Sequence, residues 1–464
     1  MDANMQQHKV EGYVAPESTL SQDAPKLSGG LPLIGHTVEF ARDAIGLLFR
    51  ARRECGDVAE FQVAHKKMIL LTGPEANEAF FRAPDSQLSP AAAYKMMVPI
   101  FGKDVAYDAP PARMAEQLGL LMPALRDKRM RGYSAVIAEE VRRSISTWGD
   151  SGELDLVEYC KVLTNFTSSG CLLGPEFRNE MTEEFASVYH DLERGITPAS
   201  YISPHLPLPS FRKRDKARAR LVEMIGEIIA NRKREGKVGT ELLQTLIDAR
   251  YKDGSKPSDH EITGILLAVI FGGHHTSSVT TAWTLLELLR HPNYMKRVRD
   301  QLSDVYAGCG RDEVSFQSLR EIPLVENAVK EALRLHPPLF ILLRGVMEDF
   351  YHGGYRMPKG TFVAVSPHIT HRIPSVFPCP DAFDPDRFGP GREEDKQPFA
   401  YISFGGGRHR CMGMAFALLQ IKTIFSILLR NYEFEWQGDP IAADFQGLVV
   451  GPKQPCRVRY KKIK

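Results

Sequence analysis

Phe404-Gly-Gly-Gly-Arg-His-Arg-Cys411-Met-Gly413 is the stretch on which the reading of this chain turns. Three consecutive glycines permit a loop whose backbone can approach a flat ligand closely. Cys411 follows them and opens an apolar run, MGMAFALLQIKTIFSILL, with helical character to about residue 430. Unpaired N–H groups and the dipole at the start of such a helix favour a thiolate, the form of cysteine that binds metal. The bland alternative is a buried structural cysteine at a glycine-rich turn, the usual fate of a single Cys. A dinucleotide-binding loop is excluded, because G-x-G-x-x-G is not completed and no βαβ unit surrounds it.

Upstream lies the most informative helix, expected over 259–290. Ser258 with Glu261 three places on makes a capping box, and His291-Pro292 supplies the stop. Between them runs ILLAVIFGGHHTSSVTTAWTLLELL, long enough to span a membrane. Two adjacent histidines and a Ser/Thr cluster in its middle argue instead for a central helix buried all round. Phe61-Gln-Val-Ala and Lys67-Met-Ile-Leu-Leu-Thr have strand character between Gly56 and Gly73. The chain reads as mainly helical from about 113 to 336, and as short strands and proline-rich loops from 337 to 380. The expected fold is mainly α with a small β-rich lobe. Residues 1–30 form a loose polar lead-in and 31–464 a single domain.

The 464 residues, 43% hydrophobic, supply ample material for a core. A balance of 59 basic against 57 acidic residues is too even for general nucleic-acid binding. Seven scattered cysteines without a C-x-x-C pair exclude zinc fingers and thioredoxin-like sites, and point to a reducing compartment. The N-terminal MDANMQQHKVEGYV lacks a charged-then-apolar signal pattern, so a cytoplasmic location without an obligate membrane anchor is expected. No cysteine pattern for an iron–sulfur cluster and no nucleotide fingerprint is found in the chain.

The loop 404–413 resembles F-G-x-G-x-[RH]-x-C-x-G, the heme-binding loop of the cytochromes P-450, with His409 in the basic slot. Three further segments fit that family in order. Glu331-Ala-Leu-Arg334 looks like its E-x-x-R pair, which taken alone is a surface ion pair. Asp384-Pro-Asp-Arg387-Phe388 resembles the P-x-R-F element whose arginine joins that pair. Gly272-Gly273-His274-His275-Thr276 occupies the place of A-G-x-x-T. The resemblance covers residues 30–460 and implies the cytochrome P-450 fold, heme b (iron-protoporphyrin IX) ligated by Cys411, and O₂ as co-substrate.

Two motifs resemble one branch, the sterol 14α-demethylases: His275 before Thr276, where most relatives carry an acid, and Tyr94-Lys-Met-Met-Val-Pro-Ile-Phe101-Gly-Lys-Asp-Val105. The branch implies three oxygenations that carry a sterol's 14α-methyl group to alcohol, aldehyde and formate, leaving a 14,15 double bond. It implies Thr276 and His275 as proton carriers. It implies Tyr94, Arg344 and His409 on the heme propionates, with Arg113 possible although Ala115 departs from the pattern. Met96, Phe101, Ala268, Phe271, Phe340, Leu342 and Leu448 are the expected pocket walls. Met96 stands where branch members vary with the sterol's C4 methylation, and departs from both usual residues. A ferredoxin or similar electron donor and azole inhibitors are the implied partners. In the family the region of Arg126–Arg131 lies on the thiolate side, where redox partners dock. Arg212–Arg220 is expected to be a solvated helix face. Two alternatives stay open: a heme-thiolate hydroxylase of another lipid or terpenoid, and a non-enzymatic heme-binding sensor.

Overall fold

Ser258 and Glu261 cap the central helix as their spacing predicts. The Ser258 hydroxyl accepts from the Glu261 N–H at 3.2 Å, and the Glu261 carboxylate accepts from the Ser258 N–H at 2.9 Å. The helix spans Asp259–Arg290, the bounds read from the sequence. Pro292 lacks the N–H that would continue it and instead opens the next helix, Pro292–Val305. Proline likewise opens Pro74–Arg82, Pro111–Gly119, Pro209–Glu235 and Pro323–Leu335. The central helix and the Met414–Asn431 helix are each long and apolar enough to cross a membrane, yet both bury most of their length inside the protein.

The computed structural model describes residues 22–464 except 175–176, 178–181, 198–199, 201–202, 237–238, 240, 311–312, 439–440 and 446–448. Most of the lead-in, and Leu448, lie outside the described residues. Contacts divide the chain into two units, one of Met1–Ala93, Ile341–Ile373 and Gln397–Arg410, the other of Tyr94–Phe340, Pro374–Lys396 and Cys411–Lys464.

The first unit holds a five-stranded sheet in the order Val58–Val63, Lys66–Leu71, Phe362–Val365, Leu342–Val346, Leu88–Ser89. The first two strands form an antiparallel hairpin and the second pairs in parallel with Phe362–Val365. Ile69, Leu71, Val363 and Val365 pack with Phe80 and Phe81 of the Pro74–Arg82 helix into its core.

The second unit is mainly helical. Its central helix packs against Leu156–Leu172, Pro209–Glu235 and Pro323–Leu335, and the Met414–Asn431 helix packs on Asp127–Ile145. One segment departs from the helical expectation over 113–336. Ser151–Asp155 is a strand paired with Arg457–Lys462, Leu154 opposite Val458. Its hydrogen-bond partners lie about three hundred residues away, and Ser-Gly-Glu-Leu-Asp carries little strand preference of its own. The basic run 212–220 also departs from expectation. Arg212, Lys213 and Lys216 are solvated, but Arg214 and Arg218, one turn apart, are buried.

Near its end the central helix buries a carboxylate, Glu287, which accepts from His336 Nε2 at 2.8 Å and faces Arg290 at 3.1 Å. Burial pushes its pKa up, but the His336 hydrogen bond and the surrounding positive charges win and hold it below the ordinary value of 4.5. A carboxyl depressed on folding stabilises fully above its unfolded pKa, and this contribution is lost as pH falls through the folded one. Glu287→Gln is therefore expected to lower Tm at pH 7, with the gap to wild type closing as pH falls below about 4. Thermal melts across pH check this; a gap that does not change with pH would contradict it.

Candidate active site

The glycine loop is shaped by a close approach. Gly407 has φ +60°, and a Cβ there would lie 2.2 Å from the Phe81 carbonyl oxygen. Only glycine permits both that conformation and that contact. The chain then reaches Cys411, whose side chain is exposed. The helix starts at Met414, with Gly413 as N-cap, so Cys411 stands just ahead of the cap rather than in the first turn as expected. Met412 and Gly413 form a turn that delays the helix and leaves the sulfur reachable. Cys160, Cys171 and Cys456 are buried, and burial pushes the Cys456 thiol up to about 12. Such thiols are inert.

On the central helix, burial lapses along one stripe at helical spacing: Ala268, Val269, Gly272, Gly273, His275 and Thr276. The Thr276 hydroxyl donates to the Gly272 carbonyl at 2.6 Å. His275 Nε2 meets Glu193 Oε1 at 2.5 Å; a carboxylate only accepts, so the imidazole donates from Nε2. Glu193 ends the Thr182–Glu193 helix, 82 residues earlier, and no spacing in the sequence points to it. His274 turns the other way. It is buried beside Thr164, at 3.5 Å, and burial followed by the His275 charge pulls its pKa down to about 3. The donor atoms of Glu193, His274 and His275 lie within 4.8 Å of one another. The short His275–Glu193 contact within that group is a hydrogen bond, tighter than the spacing of two ligands on one ion.

The Val98–Phe101 turn of the Tyr94–Val105 segment packs on the central helix. The Phe101 ring meets Phe271 edge-on at 6.1 Å, and Tyr94 stacks on Tyr107 at 5.2 Å. Met96 and Phe101 are buried, whereas Ala268 and Phe340 are half-buried. Phe340 packs on Phe445 at 6.0 Å. In the first unit Leu342 is half-buried, on the strand that carries Arg344.

Arg344 is buried, donates to the Phe80 carbonyl at 2.8 Å and lies over the Phe80 ring. His409 Nε2 meets Asp85 Oδ1 at 2.7 Å. Burial pushes the Asp85 carboxyl up, yet the His409 bond and the charges of His409, Arg408 and Arg344 hold it below the usual range. Three basic side chains around one acid leave this corner of the first unit electropositive. Arg113, in the second unit, is engaged by Asp253 at 3.0 Å and by the Tyr251 ring at 3.9 Å. The reachable Cys411 sulfur of the second unit is a donor of the kind that holds an iron-bearing ring, and the basic groups of the first unit are of the kind that meet carboxylates.

The Glu331–Arg334 pair is not on the surface, as its spacing alone would suggest. Both residues are fully buried on the Pro323–Leu335 helix, at 2.7 and 2.9 Å. Glu331 also accepts from Arg387 Nε at 2.9 Å and from the Asp384 N–H at 2.8 Å. Arg334 donates to the carbonyls of Pro380 and Ala382. The three side chains clamp the 378–394 loop to the helix.

Residues 25–458 match the family model described as Cytochrome P450. The chain is 48% identical over 452 residues to a sterol 14alpha-demethylase of Mycolicibacterium vanbaalenii, spanning 96% of this chain and 99% of that protein. It is 47% identical over 446 residues to a sterol 14alpha-demethylase of Mycobacterium tuberculosis, spanning 94% and 98%. Among solved structures, the heme domain of cytochrome P450DA is similar with a TM-score of 0.85 at 22% identity, over 96% of this chain and 99% of that one. At that identity the likeness concerns the fold alone.

Proposed function

Since the chain belongs to the cytochrome P450 family, we propose that this monooxygenase oxidatively removes the 14α-methyl group of a sterol precursor. The observation that carries the reading is near-half identity, over almost the whole chain, to proteins named for that reaction. The site supports it: His275 and Thr276, the pair by which the sequence resembles the branch, stand on the accessible stripe of the central helix.

We assign heme b to the site, where its iron would supply O₂ activation with two electrons per oxygenation. Cys411 Sγ is the proposed ligand. Tyr94, Arg344 and His409 are proposed to hold the propionates. Arg113 would first have to leave Asp253. Thr276 can accept a hydrogen bond while its own hydroxyl donates, which is what passing a proton onward requires. Glu193 holds the His275 imidazole in one orientation and fixes the nitrogen that carries the proton. The apolar side chains of Phe101, Phe271 and Phe340 favour a hydrocarbon skeleton and keep water from it. The same apolar character would admit hydrophobic azoles as competing ligands of the iron. Lys128 and Arg131 are solvated on the Asp127–Ile145 helix and are the proposed docking point for an acidic, ferredoxin-like donor. Seven cysteines without a disulfide agree with a reducing, cytoplasmic setting.

Titration of the holoprotein with a 14α-methyl sterol tests the reading. A heme spectral change on binding is expected, followed by formate and the 14,15-unsaturated product when O₂ and a donor are supplied. Hydroxylated product without formate would instead make it a hydroxylase, and binding without turnover a sensor.

Thr276→Ala is expected to keep heme and sterol binding while lowering product formed per electron consumed. Loss of a proton-handling group costs about 10²–10⁴-fold in rate. Coupling equal to wild type would remove Thr276 from proton delivery.

A further inference from the structure

Arg218 is a buried cation with no carboxylate beside it among the described residues. It lies on the Pro209–Glu235 helix, is 7% exposed, and its Nε and Nη1 have no hydrogen-bond partner among the described residues. Burial without a counter-charge pulls its pKa down to about 10. Such a group is costly to keep. What it does with its one remaining nitrogen is specific: Nη2 donates to the Phe101 carbonyl at 2.9 Å and reaches the His260 carbonyl at 3.5 Å. Phe101 ends the short helical turn Val98–Phe101, whose last carbonyls have no partner within the turn. His260, at the start of the central helix, meets the Lys103 carbonyl through Nε2 at 3.1 Å. The two side chains close on Gly102, which has φ +106°; a Cβ there would lie 2.7 Å from both Arg218 Nη2 and His260 Nε2.

We propose that Arg218 is a positioning residue for substrate. By joining the Phe101 carbonyl to the central helix it holds the Tyr94–Val105 segment in place, so that the Phe101 ring stands against Phe271. Guanidinium can serve carbonyls on two elements at once; no apolar side chain of its size can, which explains why a charge is kept in an apolar setting. The identity of the substrate, though not the clamp itself, rests on the sterol reading above.

Arg218→Met tests it in the heme-loaded protein, with Arg218→Gln as a second variant that keeps a donor without the charge. Two readouts decide it, with heme content, Tm and kcat measured beside them: hydrogen exchange at the amides of residues 100–105, and sterol Kd by heme spectral titration. The Met variant is expected to keep wild-type heme content, to melt no lower than wild type because a buried charge is gone, and to exchange at least tenfold faster over 100–105. Its sterol Kd is expected to rise about tenfold with kcat little changed, and Arg218→Gln to recover part of both effects. Wild-type exchange and wild-type Kd in the Met variant would overturn the proposal. So would a large drop in Tm with exchange raised throughout the chain, the mark of a merely structural role. If the Met variant does not fold, Arg218→Gln decides by the same two readouts. If wild type binds no sterol, the sterol reading fails, and exchange over 100–105 still decides the clamp.

Discussion

Cys411→Ala is expected to abolish the thiolate signature of the reduced, carbonyl-bound protein and all oxygenation with it. Every other cysteine is disfavoured as a substitute. Cys160, Cys171 and Cys456 are buried thiols that burial keeps protonated. None of Cys55, Cys309 and Cys379 follows a run of glycines or precedes an apolar helix. Only Cys411 follows a backbone that glycine allows to lie against the Phe81 carbonyl. The variant should still fold, because Cys411 is exposed and its sulfur fills no core space. Absorption spectra of the reduced protein with carbon monoxide, beside a far-ultraviolet CD melt, check both halves. A normal thiolate band in Cys411→Ala would refute the assignment.

Glu331→Gln is expected to cost about 3–5 kcal/mol of stability, the usual loss when one partner of a buried ion pair is removed. The substitution conserves shape and removes only charge. It leaves the guanidinium groups of Arg334 and Arg387, both 0% exposed, facing a neutral amide. Arg387 keeps Glu394, at 2.5 Å, so Arg334 bears most of the loss. The clamp on the 378–394 loop should loosen with it. Chemical denaturation gives the stability, and the yield of heme-loaded protein on expression gives the consequence for the site. A change below about 1 kcal/mol would place the pair with ordinary surface ion pairs. The double variant Glu331→Gln/Arg334→Met should recover part of the loss, because it removes a charge left without compensation.

These two residues also mark how much of the site could be read from the chain. Cys411 was legible because its motif is contiguous: glycines and a cysteine fall within ten residues and an apolar helix follows directly. The central helix was legible for the same reason, since a capping box and a following proline are local features, and both bounds agree. The Glu331–Arg334 pair was legible as a spacing but not as a buried pair. Its third member, Arg387, 56 residues on, was legible only through the family resemblance, and burial depends on what packs over the helix.

By itself, then, the sequence determined the local matters: the thiol behind a glycine loop, the central helix with its histidines and threonine, and the mainly helical class. Each follows from hydrogen bonds and periodicity within a few turns of chain. Tertiary structure decided what those local pieces face. It set Glu193 against His275, Asp85 against His409, and Arg218 against the Phe101 carbonyl. It turned His274 inward and its neighbour outward, although the two are adjacent and chemically identical. It made a strand of Ser151–Asp155 by supplying a partner from the far end of the chain. The physical reason is common to all of these. A side chain's charge, orientation and reach depend on neighbours brought by packing across long chain separations, and no spacing along the sequence encodes them.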